Sequence, residues 1–456
     1  MKPSPLTRRH FLGLGATTGV AAAGLAAGCS PAGDAGGTSR KDADDGGKPV
    51  TLSFWKPPGL PPPDENKFFQ QLTGDFGQSH GNDVVKHLLL PWDDAFTKYT
   101  AAFGGGTPPD VSYLILPWIN QFGTAGGLAP LSDIDPGLDL SGVNQNAVDS
   151  AKIDGKLYGV PWYSSRVPLA LNEAVWEKAG KPPLPKTYVE LAEFVKLLTF
   201  DKAGRALADP RFDRRSISTY GMAWPGLWEV QANYLWNYLW AYGVDYISED
   251  RKNVGFDNEQ GRAALQQLRQ IQESGAATPM SLYADPLKWE DMIWTGRAAV
   301  QWTSPPRAEK FKKHPTTRLK VLDLPSGPAG QFMIGGVGYL CIAAKSKYPE
   351  TALEFIKRAT SDDAVKRYLQ QTLLFPIKDS VDGSIYSAVS DRQPRQFLLD
   401  TLAQGKYLRL TKPLPFNAEE YLAGEINNFV SGQKDLDKMI KDASKQIGTM
   451  ARNAGL

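Results

Sequence analysis

The stretch 151–176 gathers Trp162, Tyr163 and Arg166 on a short break between two apolar runs, with Asn172 ahead of a helical pattern. A flat aromatic face covers apolar ligand surface, while guanidinium, carboxylate and amide groups bond the polar rim. That is recognition chemistry, with no nucleophile or acid–base pair in view. Asp154-Gly155 reads as a turn, because Gly tolerates positive φ and Asp bonds its own turn. Lys156 to Val160 then fits a short strand ending at Pro161, Val167 to Leu171 fits a second strand, and a helix opens near Asn172.

The same chemistry recurs along the chain. It has 12 Trp and 17 Tyr, and Trp55, Trp92, Trp118, Trp162, Trp224 and Trp228 fall at breaks rather than inside apolar runs; Trp302 falls at an expected strand end. Each is a stacking platform or an ordinary core residue, and Trp55 and Trp162 lead on position. Trp236 and Trp240, with Tyr234 and Tyr238, have helical spacing and read as a packing stripe. Asp110 either accepts ligand hydroxyls or caps the turn before its strand. Arg166 either forks onto a hydroxyl or carboxylate or joins a salt bridge. Gly335 and Gly336 allow close backbone approach to a ligand, or a hinge or bulge.

Catalytic and cofactor signatures are missing. There is no phosphate loop: Gly104-Gly105-Gly106 runs into Thr107-Pro108-Pro109 instead of opening a helix. The string Gly77-Gln78-Ser79-His80-Gly81 has the Gly-x-Ser-x-Gly spelling, but it ends a helical segment and precedes a strand, the reverse of the strand-to-helix turn that a nucleophile elbow needs. His10, His80, His87 and His314 are scattered, so no metal site and no cofactor is expected. Paired carboxylates for glycoside hydrolysis stay open, because such pairs are distant in sequence.

The elements that must hold these residues alternate. Thr51–Trp55 is a short apolar strand before a Pro-rich loop; a helix (65–79), a strand (84–90) and a further helix (93–103) follow. This order argues for an α/β sheet with parallel strands, whose ligands lie outside the strands' carboxyl ends. Trp55 stands at such an end. Segments 187–198, 231–242, 257–274, 349–358, 417–430 and 435–450 have helical periodicity. A chain of this length points to two lobes, at roughly 100–200 residues per domain.

Ordered motifs carry a resemblance. They are Gly106-Thr-Pro-Pro-Asp110-Val111, Gly126-Gly127-Leu128-Ala-Pro130-Leu131, the 154–172 segment, Pro185-Lys-Thr-Tyr-Val-Glu190, Gly296-Arg-Ala-Ala-Val300 and Gly335-Gly336-Val-Gly338-Tyr339. In this order the chain resembles the family 1 extracellular solute-binding proteins, the maltose-binding-like receptors of ABC importers. The resemblance implies an α/β, two-lobed periplasmic-binding-protein-like fold. Each lobe would be a central sheet flanked by helices, joined by a multi-crossing hinge. It places 49–163 plus 331–375 in lobe 1 and 164–330 plus 376–456 in lobe 2. It implies a non-enzyme that captures a carbohydrate and delivers it to the membrane permease of an ABC importer by hinge closure. The implied ligand-binding set is Trp55, Asp110, Trp118, Trp162, Tyr163, Arg166, Trp224, Trp228, Trp302, Gly335 and Gly336. Rival readings keep the fold with a polyol, glycerol phosphodiester, polyamine or peptide as ligand, or make the chain a glycoside hydrolase.

The N-terminus reads as targeting. Arg8-Arg9 precede an apolar, Ala/Gly-rich run over 11–28, a twin-arginine type signal peptide. Leu25-Ala-Ala-Gly28-Cys29 resembles a bacterial lipoprotein box, which implies lipidation at Cys29 and a location on the extracytoplasmic face of the cell membrane. Residues 30–48 are polar and read as a flexible tether. Removing residues 1–28 takes away Lys2, Arg8 and Arg9, leaving a charge near zero and no case for a nucleic-acid partner. After lipidation only Cys341 is left, so no internal disulfide is expected, and the protein reads as a monomer.

Overall fold

The structure, a computed structural model, describes residues 41–43, 46–224, 235–279, 286–303, 308–410 and 416–453. The signal segment, Cys29 and Trp228 lie outside the described residues. The strands run β1 (Thr51–Lys56), β2 (Val84–Leu89), β3 (Val111–Ile115), β4 (Lys152–Ile153), β5 (Lys156–Leu157), β6 (Gly159–Arg166), β7 (Leu169–Asn172), β8 (Phe200–Asp201), β9 (Ile217–Ala223), β10 (Ala298–Trp302), β11 (Leu319–Val321), β12 (Met333–Ile342) and β13 (Leu408–Leu410).

They form two large sheets, as the α/β two-lobed expectation requires, and the separate two-stranded hairpin β4-β5. The first has the order β13-β12-β3-β1-β2, with β6 also paired to β12; the second has the order β11-β7-β10-β9-β8. β1 is parallel to β2 and β3, so their carboxyl ends share one edge. In the second sheet β9 and β10 are parallel. Period-two alternation puts Leu52, Phe54 and Lys56 of β1 on one buried face. Phe54 packs there on Phe69 of the helix Pro62–Ser79, which opens with prolines where the helix lacks N–H partners anyway. Trp236 and Trp240 are buried in the second core, the packing role their spacing predicts.

Local signals are realised closely. Asp154 and Gly155 both have positive φ between β4 and β5, the geometry of a tight hairpin. Asn172 caps the helix Glu173–Lys178 by accepting from the Val175 N–H. Thr187 accepts from the Glu190 N–H at 3.1 Å, and Glu190 in return accepts from the Lys186 N–H at 2.7 Å. This reciprocal cap opens the helix Tyr188–Leu197.

Two expectations are corrected. The strand does not break at Pro161: β6 runs through Pro161 and Trp162 to Arg166. Proline is tolerated because the pairing register of β6 with β12 shifts beside it, between Gly338 and Tyr339. The tether is also docked before residue 48. The Asp42 carboxylate accepts from the Glu350 N–H at 2.7 Å and the Thr351 N–H at 3.1 Å. It thereby caps the helix Pro349–Ala359, whose own preceding residue, Tyr348, supplies no side-chain cap.

The chain passes between the two cores several times. Arg166 ends β6 in the first sheet, and Val167 already packs in the second core. Met333 and Ile334 pack in the second core while β12 continues into the first sheet from Gly335. Val381, Ile385, Tyr386 and Leu398 pack in the first core, and β13 pairs with β12. The helix Arg392–Ala403 touches both sides: Leu398 packs in the first core, while Phe397 packs with Ala170, Leu319 and Val321 of the second sheet. Ala418 and the residues after it pack in the second core. Within the expected 376–456 piece, 381–386 and β13 thus join the first sheet and its core, and the helix Arg392–Ala403 is shared between the two.

Candidate functional site

At the carboxyl edge of the first sheet, Trp55 is half-buried and its ring lies 6.1 Å from Tyr99, whose hydroxyl donates to the Trp55 carbonyl. Trp92 opens the next helix and stays 39% exposed. Its indole N–H donates to the Pro58 carbonyl at 2.8 Å and so pins the loop after β1. Trp118 is buried behind it, its ring 6.1 Å from Trp92.

Beneath this edge lies a group that the motif reading did not single out. Lys56 and Glu65 form a buried 2.7 Å ion pair. The Lys56 ammonium sits 5.3–5.8 Å from the ring centroids of Tyr113, Tyr368, Phe69 and Trp162. Burial pushes the Lys56 pKa down, and the Glu65 carboxylate opposes that shift. Glu65 also accepts from the Gly59 N–H at 2.8 Å, the Leu60 N–H at 2.5 Å and the Tyr368 hydroxyl at 2.8 Å. The pair therefore fixes the Pro-rich loop at the edge where ligands of such sheets bind. Only the position of Lys56 next to Trp55 hinted at it.

Trp162 and Tyr163 are placed inside this assembly instead of on an open surface. Trp162 is 1% exposed, stacks on Tyr368 at 4.8 Å and donates its indole N–H to the Ala359 carbonyl. Tyr163 is buried against Tyr113 at 5.7 Å, and its hydroxyl pKa is driven up by burial. Because β6 does not break at Pro161, the two rings stay in the core. Their role in this conformation is packing, the core alternative to the stacking platforms expected.

Asp110 is likewise spoken for. Its carboxylate accepts from the Ser53 N–H and hydroxyl, each at 2.8 Å, and from the Ser346 hydroxyl at 2.8 Å. It precedes β3 at the amino end, away from the carboxyl edge. It ties three segments together, a structural role different from the turn cap expected of it.

On the second sheet, Trp224 follows β9 and Trp302 ends β10. Gln301 pairs with Ala223, so the next residues, Trp302 and Trp224, fall side by side at this edge, with Trp302 still paired to Leu169 of β7. Both are buried, and neither indole N–H has a hydrogen-bond partner among the described residues. The Trp224 ring meets Tyr238 edge-on at 5.8 Å. A buried donor left unpaired costs free energy, so two together at a carboxyl edge mark a place where an acceptor belongs.

Arg166 and the paired glycines sit at the crossing. Gly335 pairs with Arg166 on one side and Leu410 on the other. A Cβ on Gly335 would strike the Ser165 carbonyl and the Leu408 side chain, so close strand approach accounts for this glycine. Gly336 donates its N–H to the Ser165 hydroxyl at 3.1 Å. The Arg166 guanidinium donates to the Leu402 carbonyl at 2.8 Å and lies over Phe375 at 5.2 Å. Burial lowers its pKa to about 10. Arg166 thus caps the carboxyl end of the helix Arg392–Ala403, a role that neither the ligand fork nor the salt bridge expected of it describes. Among the described residues, no group of three or more His, Cys, Asp or Glu is arranged to hold a metal, and no helix is long and apolar enough to cross a membrane.

Known proteins resemble this chain over most of its length. The diacetylchitobiose binding protein DasA of Streptomyces coelicolor is 26% identical over 366 residues, covering 77% of this chain and 79% of that protein. Among solved structures, the cyclic α-maltosyl-1,6-maltose binding protein from Arthrobacter globiformis superimposes with a TM-score of 0.72 at 20% identity, over 89% of this chain and 100% of that one. UgpB from Mycobacterium tuberculosis, solved in complex with glycerophosphocholine, gives 0.70 at 21% identity, over 90% and 100%. These likenesses carry the fold. Residues 71–390 match the family model for bacterial extracellular solute-binding proteins, and with two sheets joined by repeated crossings and aromatic residues at their carboxyl edges, the chain belongs to that family.

Proposed function

We propose that the protein captures a carbohydrate outside the cell and passes it to the permease of an ABC importer, without covalent chemistry. The observation that carries this reading is the side-by-side pair Trp224 and Trp302, whose indole N–H groups are unspent at the carboxyl edge of two parallel strands. Sugar hydroxyls supply the missing acceptors, and the half-buried Trp55 and exposed Trp92 offer apolar faces for pyranose C–H groups. The relatives named for binding diacetylchitobiose and a cyclic maltosyl-maltose support the same class. Trp228 stays in the proposed ligand set on sequence grounds, and Cys29 as the lipid anchor on the extracytoplasmic face of the cell membrane.

A phosphodiester ligand, as in the UgpB complex, is the second reading. It calls for a free cation. The buried cations Lys56 and Arg166 are instead engaged with Glu65 and with carbonyls, which favours a neutral sugar. The test is a thermal-shift and calorimetry panel containing N,N′-diacetylchitobiose, linear and cyclic α-glucans, and glycerophosphocholine. A glycan is expected to bind, and Trp302→Phe, which removes one indole N–H, is expected to weaken it about tenfold, the worth of one hydrogen bond. Binding of glycerophosphocholine alone would replace the sugar reading. Hydrolysis of the glycan by the purified protein would make it a glycosidase.

A further inference from the structure

Alternate residues of the short strand β13 face different cores. Leu410 packs against the first-sheet cluster that contains Tyr99 and Trp118. Its neighbour Arg409 turns the other way, as Ile334, its partner in register, also does toward the second core. The Arg409 guanidinium lies 4.7 Å from the ring centroid of Trp240 and 5.4 Å from that of Phe332, both in or against the second core. It donates to the Asp245 carboxylate at 3.0 Å, and that carboxylate also accepts from the Trp240 indole N–H at 3.1 Å and the Tyr246 N–H at 2.9 Å. The receiving group is thus prearranged by its own lobe, while the donor is delivered by a strand hydrogen-bonded into the first sheet.

We propose that Arg409 is an inter-lobe latch: a positioning residue that touches no ligand and sets how the two lobes stand by gripping Asp245 and Trp240 across the hinge. Gly335, held between Arg166 and Leu410, is the point about which such a grip acts. A stacked guanidinium with a fixed carboxylate has the plane and the charge this contact uses; a lysine has only the charge. Loss of a contact present in one arrangement of the lobes shifts the population toward the other.

The test needs no ligand and does not depend on the sugar reading. Spin labels are placed at Val84→Cys on β2 and Val189→Cys on the helix Tyr188–Leu197, both exposed and on opposite sheets' surroundings, in a Cys29→Ser background. The buried Cys341 thiol stays unlabelled. Arg409→Gln and Asp245→Asn are each expected to change the ratio of inter-label distance populations about fivefold or more, the low end of ordinary coupling between sites. Arg409→Lys should restore this only in part. In the double variant the effects should not add, because both remove one interaction. An unchanged distance distribution in the folded single variants, with or without a lowered melting temperature, would make Arg409 a local packing residue and overturn the latch. Additive effects in the double variant would overturn the pairing with Asp245.

Discussion

Lys56 and Glu65 sit in the first core with 1% and 0% of their side chains exposed, and four aromatic faces surround the ammonium. Desolvating two charges costs about as much as their attraction returns, so the pair is better understood as positioning than as net stabilisation. Glu65 receives four donors, three of them besides Lys56. Removing Lys56 strands a buried carboxylate. Lys56→Met is therefore expected to lower unfolding stability by about 3–5 kcal/mol in chemical denaturation. Lys56→Met combined with Glu65→Gln should recover part of that loss, because no net charge is then buried. A single variant as stable as the parent would show that the pair does not hold the loop after β1. At this scale the sequence was legible where a residue's role follows from its neighbours in the chain, as with Asp154, Asn172 and Glu190. It was not legible for Trp162, Asp110 or Arg166. Their partners, Ala359, Ser346 and Leu402, are about 200 or more positions away, and pattern reading has no access to them.

Helices and turns follow from local chemistry, and their bounds agree closely with periodicity: 259–274 for 257–274, 349–359 for 349–358, and 416–430 for 417–430. β6 departs because its proline falls beside a register shift, where proline is tolerated, and that shift belongs to the pairing with β12 and not to β6 alone. Asp42 departs for a similar reason. The sequence around it shows no apolar periodicity, yet its carboxylate meets the open N–H groups of a helix that begins after residue 348. Helix N-termini accept such a carboxylate readily, and losing a cap costs about 1 kcal/mol. Asp42→Ala is expected to lower stability by that amount. It should also speed amide exchange at Glu350 and Thr351 while leaving the rest of the helix protected. Unchanged exchange at those two amides would mean that Asp42 does not cap this helix in solution.

The whole molecule is interleaved. β12 starts in the second core and pairs in the first sheet, and β13 returns to that sheet before the last two helices, Phe416–Val430 and Leu436–Asn453, pack on the second core. Alternation of strands and helices made the α/β class readable, and chain length the two lobes; which segment packs in which core was not, since the helix Arg392–Ala403 carries no mark of the two sides it touches. The interleaving bears on function. A ligand that bonds Trp224 and Trp302 on one side and lies on Trp55 or Trp92 on the other touches both lobes only when they are closed. Such a ligand favours closure by its differential affinity for that state. Two measurements on one sample separate closure from simple binding. A glycan identified by the panel, at 100 times its Kd, should stabilise the fold by about 2.7 kcal/mol by mass action. Any ligand of the native state does this, with or without movement. Closure adds a second signature: small-angle scattering should give a smaller radius of gyration with the glycan than without it. In Trp302→Phe at saturating glycan the contraction should persist if the indole N–H contributes affinity alone, and shrink if it also carries the contact that draws the lobes together. Full stabilisation with an unchanged radius of gyration would mean that the sugar is held by one lobe, and the hinge would then have no part in its capture.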